Sequence, residues 1–168
     1  TLVITGKGDI DGSVSGTFNI IYGDALLDDP TNAPMVNYVT GLYTNIYGRR
    51  PTGTELVNDC KNIKTPGFDL ESYLIGFVNS SEFDTMCSNL EIPEGSSLNE
   101  QLVSRCLYNA YLGSSADAAG LEAWTGAADE SGFEACIQSI VNDAGINANI
   151  RATLGIYEIT PSVLRYLF

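Results

Sequence analysis

The chain contains no histidine. That absence removes Ser-His and Cys-His nucleophile pairs, histidine-ligated zinc and the commonest general base. Positive charge is scarce too: 8 Lys and Arg stand against 21 Asp and Glu, a net charge of −13. The basic residues form no stripe, and Arg49-Arg50 is their only adjacent pair. Attraction to nucleic-acid phosphates or to anionic lipid is therefore not expected. No run is long and apolar enough to span a bilayer, which argues against membrane insertion. The opening TLVITGKG lacks the basic start and long apolar centre of a signal peptide. It is compatible with the mature part of an exported protein, and the acidic balance fits that setting.

Cysteine is sparse and widely spaced. Cys60, Cys87, Cys106 and Cys136 include no CxxC pair, so a metal or redox site is a poor reading. An even count in a weakly charged chain points instead to two disulfides and an oxidising compartment, with buried free thiols as the alternative. Of three possible connectivities, Cys60–Cys87 and Cys106–Cys136 are favoured, because each would staple one copy of an internal repeat.

That repeat is what the sequence does contain. VTGLYTNIYGRRPTGTEL from Val39 runs parallel to SRCLYNAYLGSSADAAGL from Ser104. Leu42, Gly48 and Leu56 match Leu107, Gly113 and Leu121 at one constant offset of 65. LESYLIGFVNS from Leu70 then matches FEACIQSIVND from Phe133 at an offset of 63. Two three-helix units are expected, about 35–87 and 98–144. Val39, Leu42, Tyr43 and Ile46 fall at i, i+3, i+4, i+7, and Leu102, Val103, Cys106, Leu107 and Ala110 form the equivalent stripe. Leu70, Tyr73, Leu74, Phe77 and Val78 recur as Phe133, Cys136, Ile137, Ile140 and Val141.

The punctuation agrees. Thr52 with Glu55, Ser97 with Glu100, and Ser131 with Glu134 read as capping boxes. Gly48 and Gly113 stand where a left-handed residue ends a helix. Asp117 is placed to cap the helix that follows. Leu121 and Trp124 lie one turn apart on its buried face, and Gly120 leaves room for close approach. A further helix is expected over 147–154, and Thr160-Pro161 opens a last one. The conspicuous stretch CLYNAYLGSSADAAGLEAW thus reads as helix wiring, with no catalytic residue in it.

These residues also carry a resemblance. LYNAYLGSSADAAGLEAWTG is similar to the family called domain of unknown function 4214, whose pattern is Leu-Tyr, Leu-Gly-Arg, Asp, Gly-Leu and Trp at fixed spacing. GFVNSSEF, at 76–83, resembles that family's closing motif, and the phycobilisome linker domain shows a related pattern. The first copy keeps Arg49 but has Thr52 and Asp59 at the Asp and Trp positions; the second has Ser114 at the Arg position. The resemblance implies a helical, exported bacterial module, found beside adhesins, surface-layer proteins or polysaccharide-degrading enzymes, without known catalytic residues or cofactor.

The first thirty residues read differently. Leu2 and Ile4, then Phe18 and Ile20, alternate with polar residues around Asp-Ile-Asp-Gly. This resembles the last hairpin of a bacterial immunoglobulin-like repeat, and LDDPTNAP (27–34) reads as its connector to the helical domain at 31–168. Asp9, Asp11 and Ser13 open like a calcium loop, but Val14 and Ile20 stand where the loop glycine and bidentate glutamate belong, so no metal is assigned.

The expected class is therefore mainly α: two three-helix repeats in one domain behind a short β-hairpin. The expected role is a non-catalytic interaction module of a secreted or surface-attached bacterial protein, its partner an extracellular protein or polysaccharide. The alternative is a carbohydrate-binding module beside a hydrolase. Tyr47 and Tyr111, read as matching positions near helix ends, would supply aromatic platforms, with Asn45, Arg49 and Arg50 as polar partners.

Overall fold

The structure is a computed structural model that describes residues 23–156. Among the described residues there are nine α-helices and no strand, so the fold is mainly α. The expected hairpin, the calcium-like loop and the helix at Thr160-Pro161 lie outside the described residues.

The segment read as a plain connector is structured. Asp24 accepts from the Leu26 N–H at 2.9 Å and starts a one-turn helix, α1 (Ala25–Asp28). Asp29 accepts from the Thr31 N–H, and Pro30 opens a 3-10 turn over Pro30–Asn32. The Asn32 amide donates back to the Leu26 carbonyl at 3.0 Å, and Leu27 is buried in the core. Two local caps and a proline suffice to shape this segment once Leu27 has somewhere to go.

The second helix, α2 (Ala33–Leu42), continues as a π turn over Tyr43–Tyr47. Its later counterpart, α6 (Leu98–Leu102), continues as a π segment over Val103–Leu112. Periodicity alone predicts ordinary α-helix in both places; the bonding is instead i→i+5 before each terminator. Both terminators are the expected glycines, Gly48 at φ 75° and Gly113 at φ 62°. At Gly48 a side chain would also meet Arg105, 2.8 Å from the position of a Cβ. Arg105 Nε donates to the Asn45 carbonyl, placing a cation at the C-terminal end of the helix, where free carbonyls need partners.

The remaining helices are α3 (Gly53–Ile63), α4 (Leu70–Val78), α5 (Ser81–Asn89), α7 (Ala118–Ser131), α8 (Phe133–Asn142) and α9 (Ala144–Thr153). Thr52 and Glu55 form a full capping box: the Glu55 N–H donates to Thr52 Oγ1 at 3.2 Å and the Thr52 N–H to Glu55 at 2.7 Å. Asp117 accepts from the Gly120 N–H at 2.7 Å, and Ser97 accepts from the Glu100 N–H. The box expected at Ser131 is corrected, because α7 runs through Ser131 and the joint is Gly132 at φ 86° with no side-chain cap. The helix expected at Asn147 starts earlier, because Asp143 accepts from the Ile146 N–H at 2.8 Å. Among the described residues five α-helices, α1–α5, precede the 90–97 linker and four, α6–α9, follow it.

The halves share one core. The π segments pack on each other, and α4 packs on α8. All four expected stripes face inward, with Tyr73 only partly covered. Hydrogen bonds tie the halves: Tyr38 Oη donates to the Tyr111 carbonyl at 3.0 Å, and Tyr111 Oη to the Leu74 carbonyl at 2.7 Å. Phe83 of α5 stacks on Phe133 of α8.

The disulfide expectation is corrected. All four cysteines are free thiols. Cys60 faces the core beneath α1, and the Cys136 thiol points to the Trp124 carbonyl at 4.0 Å. The neighbour that Cys106 feels is Cys87, not Cys136. Burial pushes Cys60 up to about 11 and Cys106 up to about 12, and raises Cys87 and Cys136 as well. Thiolate is the reactive form, so the partly exposed Cys87 should alkylate first in native protein at neutral pH. Mass spectrometry should show one fast adduct, and four only in denaturant.

Candidate functional site

Of the five residues read as a sugar-facing platform, four are spent on the fold. Tyr111 is 1% exposed, so the expected aromatic face is absent there. In the register of the repeat Tyr111 corresponds to Ile46, and Tyr47 corresponds to Leu112. A single step along a helix turns a side chain from the rim into the core, and Ile46 is likewise fully buried. Tyr47 is half-buried: its hydroxyl donates to the Phe77 carbonyl at 3.1 Å and meets Ser80 Oγ at 2.9 Å, while its ring stacks on Phe77. The Asn45 amide donates to the Gly41 and Asn109 carbonyls.

Arg49 is fully committed. Nε and Nη2 donate to the two oxygens of Glu82, Nη1 and Nη2 to the two oxygens of Glu55, and Nη1 also to the Arg50 carbonyl. A guanidinium has five N–H donors, and these five bonds use them all. Its plane also lies 5.1 Å from the Tyr43 ring centroid. Arg49 thus ties the start of α3 to the start of α5. The ion pair and the capping amide together pull the Glu55 carboxyl down to about 2. Arg50, the last of the five, is exposed.

The second half lacks every member of this clamp. Ser114 stands in the place of Arg49, Gly120 in that of Glu55, and Gly145 in that of Glu82. The space is taken by Tyr108, whose Oη lies too close to where a Gly120 Cβ would be to admit one. Gly120 therefore does give room for close approach, to a tyrosine hydroxyl. Leu121 and Trp124 are only partly buried, and Ala128 is the fully buried residue of α7.

A similar exchange surrounds Asp59. It is the first-half counterpart of Trp124, and Tyr73 is the counterpart of Cys136. One half therefore pairs a small acid with a large ring, and the other a large ring with a small thiol. Tyr73 Oη donates to Asp59 at 3.2 Å, and Tyr43, Tyr47, Phe68, Tyr73 and Phe77 form a chain of edge-on and stacked rings. Burial, partly offset by hydrogen bonds from Tyr43 and Tyr73, raises the Asp59 carboxyl. A raised carboxyl weakens the folded state once ionised, so this contribution is lost as pH rises through its range. Asp59→Asn keeps an acceptor for Tyr73 and removes the charge. The variant should melt a few degrees higher at pH 7 and show no gain below pH of about 3, where both forms are neutral.

The other surface features are grooves. A hollow of about 600 Å³ over α8 and α9 is lined by Val141, Asn147, Arg151 and Ile156 among others, with Arg151 its charged residue. A groove of about 490 Å³ between α6 and α7 has an apolar floor and three acidic residues, Glu100, Glu122 and Asp129. Glu122 and Asp129 are two turns apart on α7, and Glu100 comes from α6. Among the described residues no group of three His, Cys, Asp or Glu side chains converges to hold a metal. No helix of the described residues is long and apolar enough to cross a membrane. The chain matches no family model, no curated protein and no solved structure.

Proposed function

We propose that the chain is a non-catalytic interaction module built from two helical repeats, working at the exterior of a bacterial cell or in a secreted protein. The supporting observation is how the conspicuous residues are used. Asp117, Thr52, Gly48 and Gly113 start and stop helices, and Arg49 spends all five donors inside the fold. A carboxylate that caps a helix and a guanidinium spent on two glutamates are poorly placed for substrate chemistry. The two-repeat reading is supported by the caps. Gly48 with Gly113, and Thr52 with Asp117, keep the first offset of the repeat, while Asp69 with Gly132, and Ser80 with Asp143, keep the second. The exported setting rests on the motif resemblance in LYNAYLGSSADAAGLEAWTG and GFVNSSEF, which no family-model match accompanies.

The carbohydrate-binding alternative loses its platform, since Tyr111 is buried and Arg49, Asn45 and Tyr47 are engaged. The test is affinity electrophoresis on a panel of soluble polysaccharides, with reducing-sugar release measured on the same panel. The module reading expects neither retardation nor release. Retardation would restore the carbohydrate alternative, and sugar release proportional to protein concentration would end the non-catalytic reading.

A further inference from the structure

We propose that the groove between α6 and α7 docks a short cationic segment of a partner protein, one that inserts a leucine-sized side chain with Lys or Arg beside it. This rests on the two-repeat reading. The groove is lined by Glu100, Leu121, Glu122, Thr125, Gly126 and Asp129. Their counterparts in the first half, at the first offset of the repeat, are Met35, Leu56, Val57, Cys60, Lys61 and Lys64.

In the first half Met35, Leu56 and Cys60 of that second set are buried, and Lys61 and Lys64 form an exposed rim. α1 lies on α2 and α3, Leu27 is buried, and Cys60 is fully enclosed. The cover is acidic and its seat is basic: Lys61 Nζ pairs with Asp24 at 3.1 Å, and Asp29 lies in the field of Lys64. Among the described residues the second half has no such cover of its own. The stretch 90–93 is the counterpart of α1 in the same register, yet it is not helical, and its Ile92 is 45% exposed.

The seat in the second half carries the opposite charge. Gly126 and Asp129 replace Lys61 and Lys64, and Glu100 and Glu122 replace Met35 and Val57. Asn99 holds one oxygen of Asp129 at 2.7 Å. Thr125 Oγ1, in the position of Cys60, is the buried side-chain oxygen or nitrogen without a hydrogen-bond partner among the described residues. Leaving it unpaired costs stability, and it is the backbone of a docked segment, not its apolar anchor, that carries groups able to pair with it. A small apolar floor with an acidic rim selects an apolar anchor flanked by cations. A second copy of this chain, at net charge −13, is a poor complement.

The test uses a synthetic peptide of residues 22–33 carrying Asp24→Lys, Asp28→Lys and Asp29→Lys, titrated into isotopically labelled full chain by NMR. Shifts should concentrate on Glu100, Leu121, Thr125 and Gly126, weaken with salt, and disappear when the peptide also carries Leu27→Ala. Glu122→Lys with Asp129→Lys, both on exposed positions, should lower affinity by about tenfold or more. Gly126→Lys with Asp129→Lys should lose the cationic peptide and gain the unmodified acidic one. Shifts elsewhere, equal binding of the Leu27→Ala peptide, or indifference to Glu122→Lys/Asp129→Lys overturns the docking site and leaves the module reading intact. Loss of the cationic peptide without gain of the acidic one supports the groove and counts against equivalence of the two halves.

Discussion

Replacing Tyr111 by alanine should cost about 3–5 kcal/mol, the range for emptying a large aromatic site in a core. Tyr111 is among the largest fully buried side chains. It sits where the π segment of the second half meets the first half, and its hydroxyl reaches the Leu74 carbonyl at 2.7 Å. Its own carbonyl accepts from Tyr38. The void would therefore open at the seam between the halves, where neither can collapse without moving the other. Tyr111→Phe removes only the hydroxyl and should cost about 1 kcal/mol. Urea unfolding followed by circular dichroism checks both, with the midpoint falling in that order. Binding data on Tyr111→Ala would be uninterpretable as evidence for a sugar platform, because the fold itself is weakened.

The second large effect is at Arg49. Arg49→Ala leaves Glu55 and Glu82 without their shared cation and should cost about 2 kcal/mol, moderated by the partial exposure of all three side chains. Arg49→Lys should recover little, since a single ammonium cannot serve two carboxylates bidentately. The loss depends on pH. Arg49, with the Thr52 amide, holds Glu55 at about 2 against an ordinary 4.5. A depressed carboxyl stabilises the fold above its unfolded pKa, and that stability is lost as pH falls toward the folded value. The native chain should therefore lose stability between pH 4.5 and about 2, and Arg49→Ala should show a shallower fall there. A series of thermal melts across that window decides it; parallel curves for the two proteins would refute the clamp.

The clamp also shows what was legible and what was not. Arg49 and Ser114 are visibly different residues at equivalent positions. That Glu55 and Glu82 change with them, to Gly120 and Gly145, becomes meaningful only when the three meet in space. Tyr47 and Tyr111 looked equivalent by their closeness to helix ends, and a single step of register separated a rim from a core. The acidic groove had no sequence signature of its own, because its residues come from two helices and, among the described residues, α1 lies on α2 and α3 while no helix lies in the same way on α6 and α7.

The sequence by itself determined where most helices begin and end. Capping hydroxyls, carboxylates and left-handed glycines act on amides within about one helical turn, so their effect is written locally. It also determined which faces turn inward, since that is a matter of periodicity. Only the tertiary structure decided that α1 packs on α2 and α3 and is no mere tether, that the cysteines face different neighbours, and that Thr125 Oγ1 has no hydrogen-bond partner among the described residues. Those outcomes depend on which helix packs against which and at what register, and residues far apart in the chain settle that together.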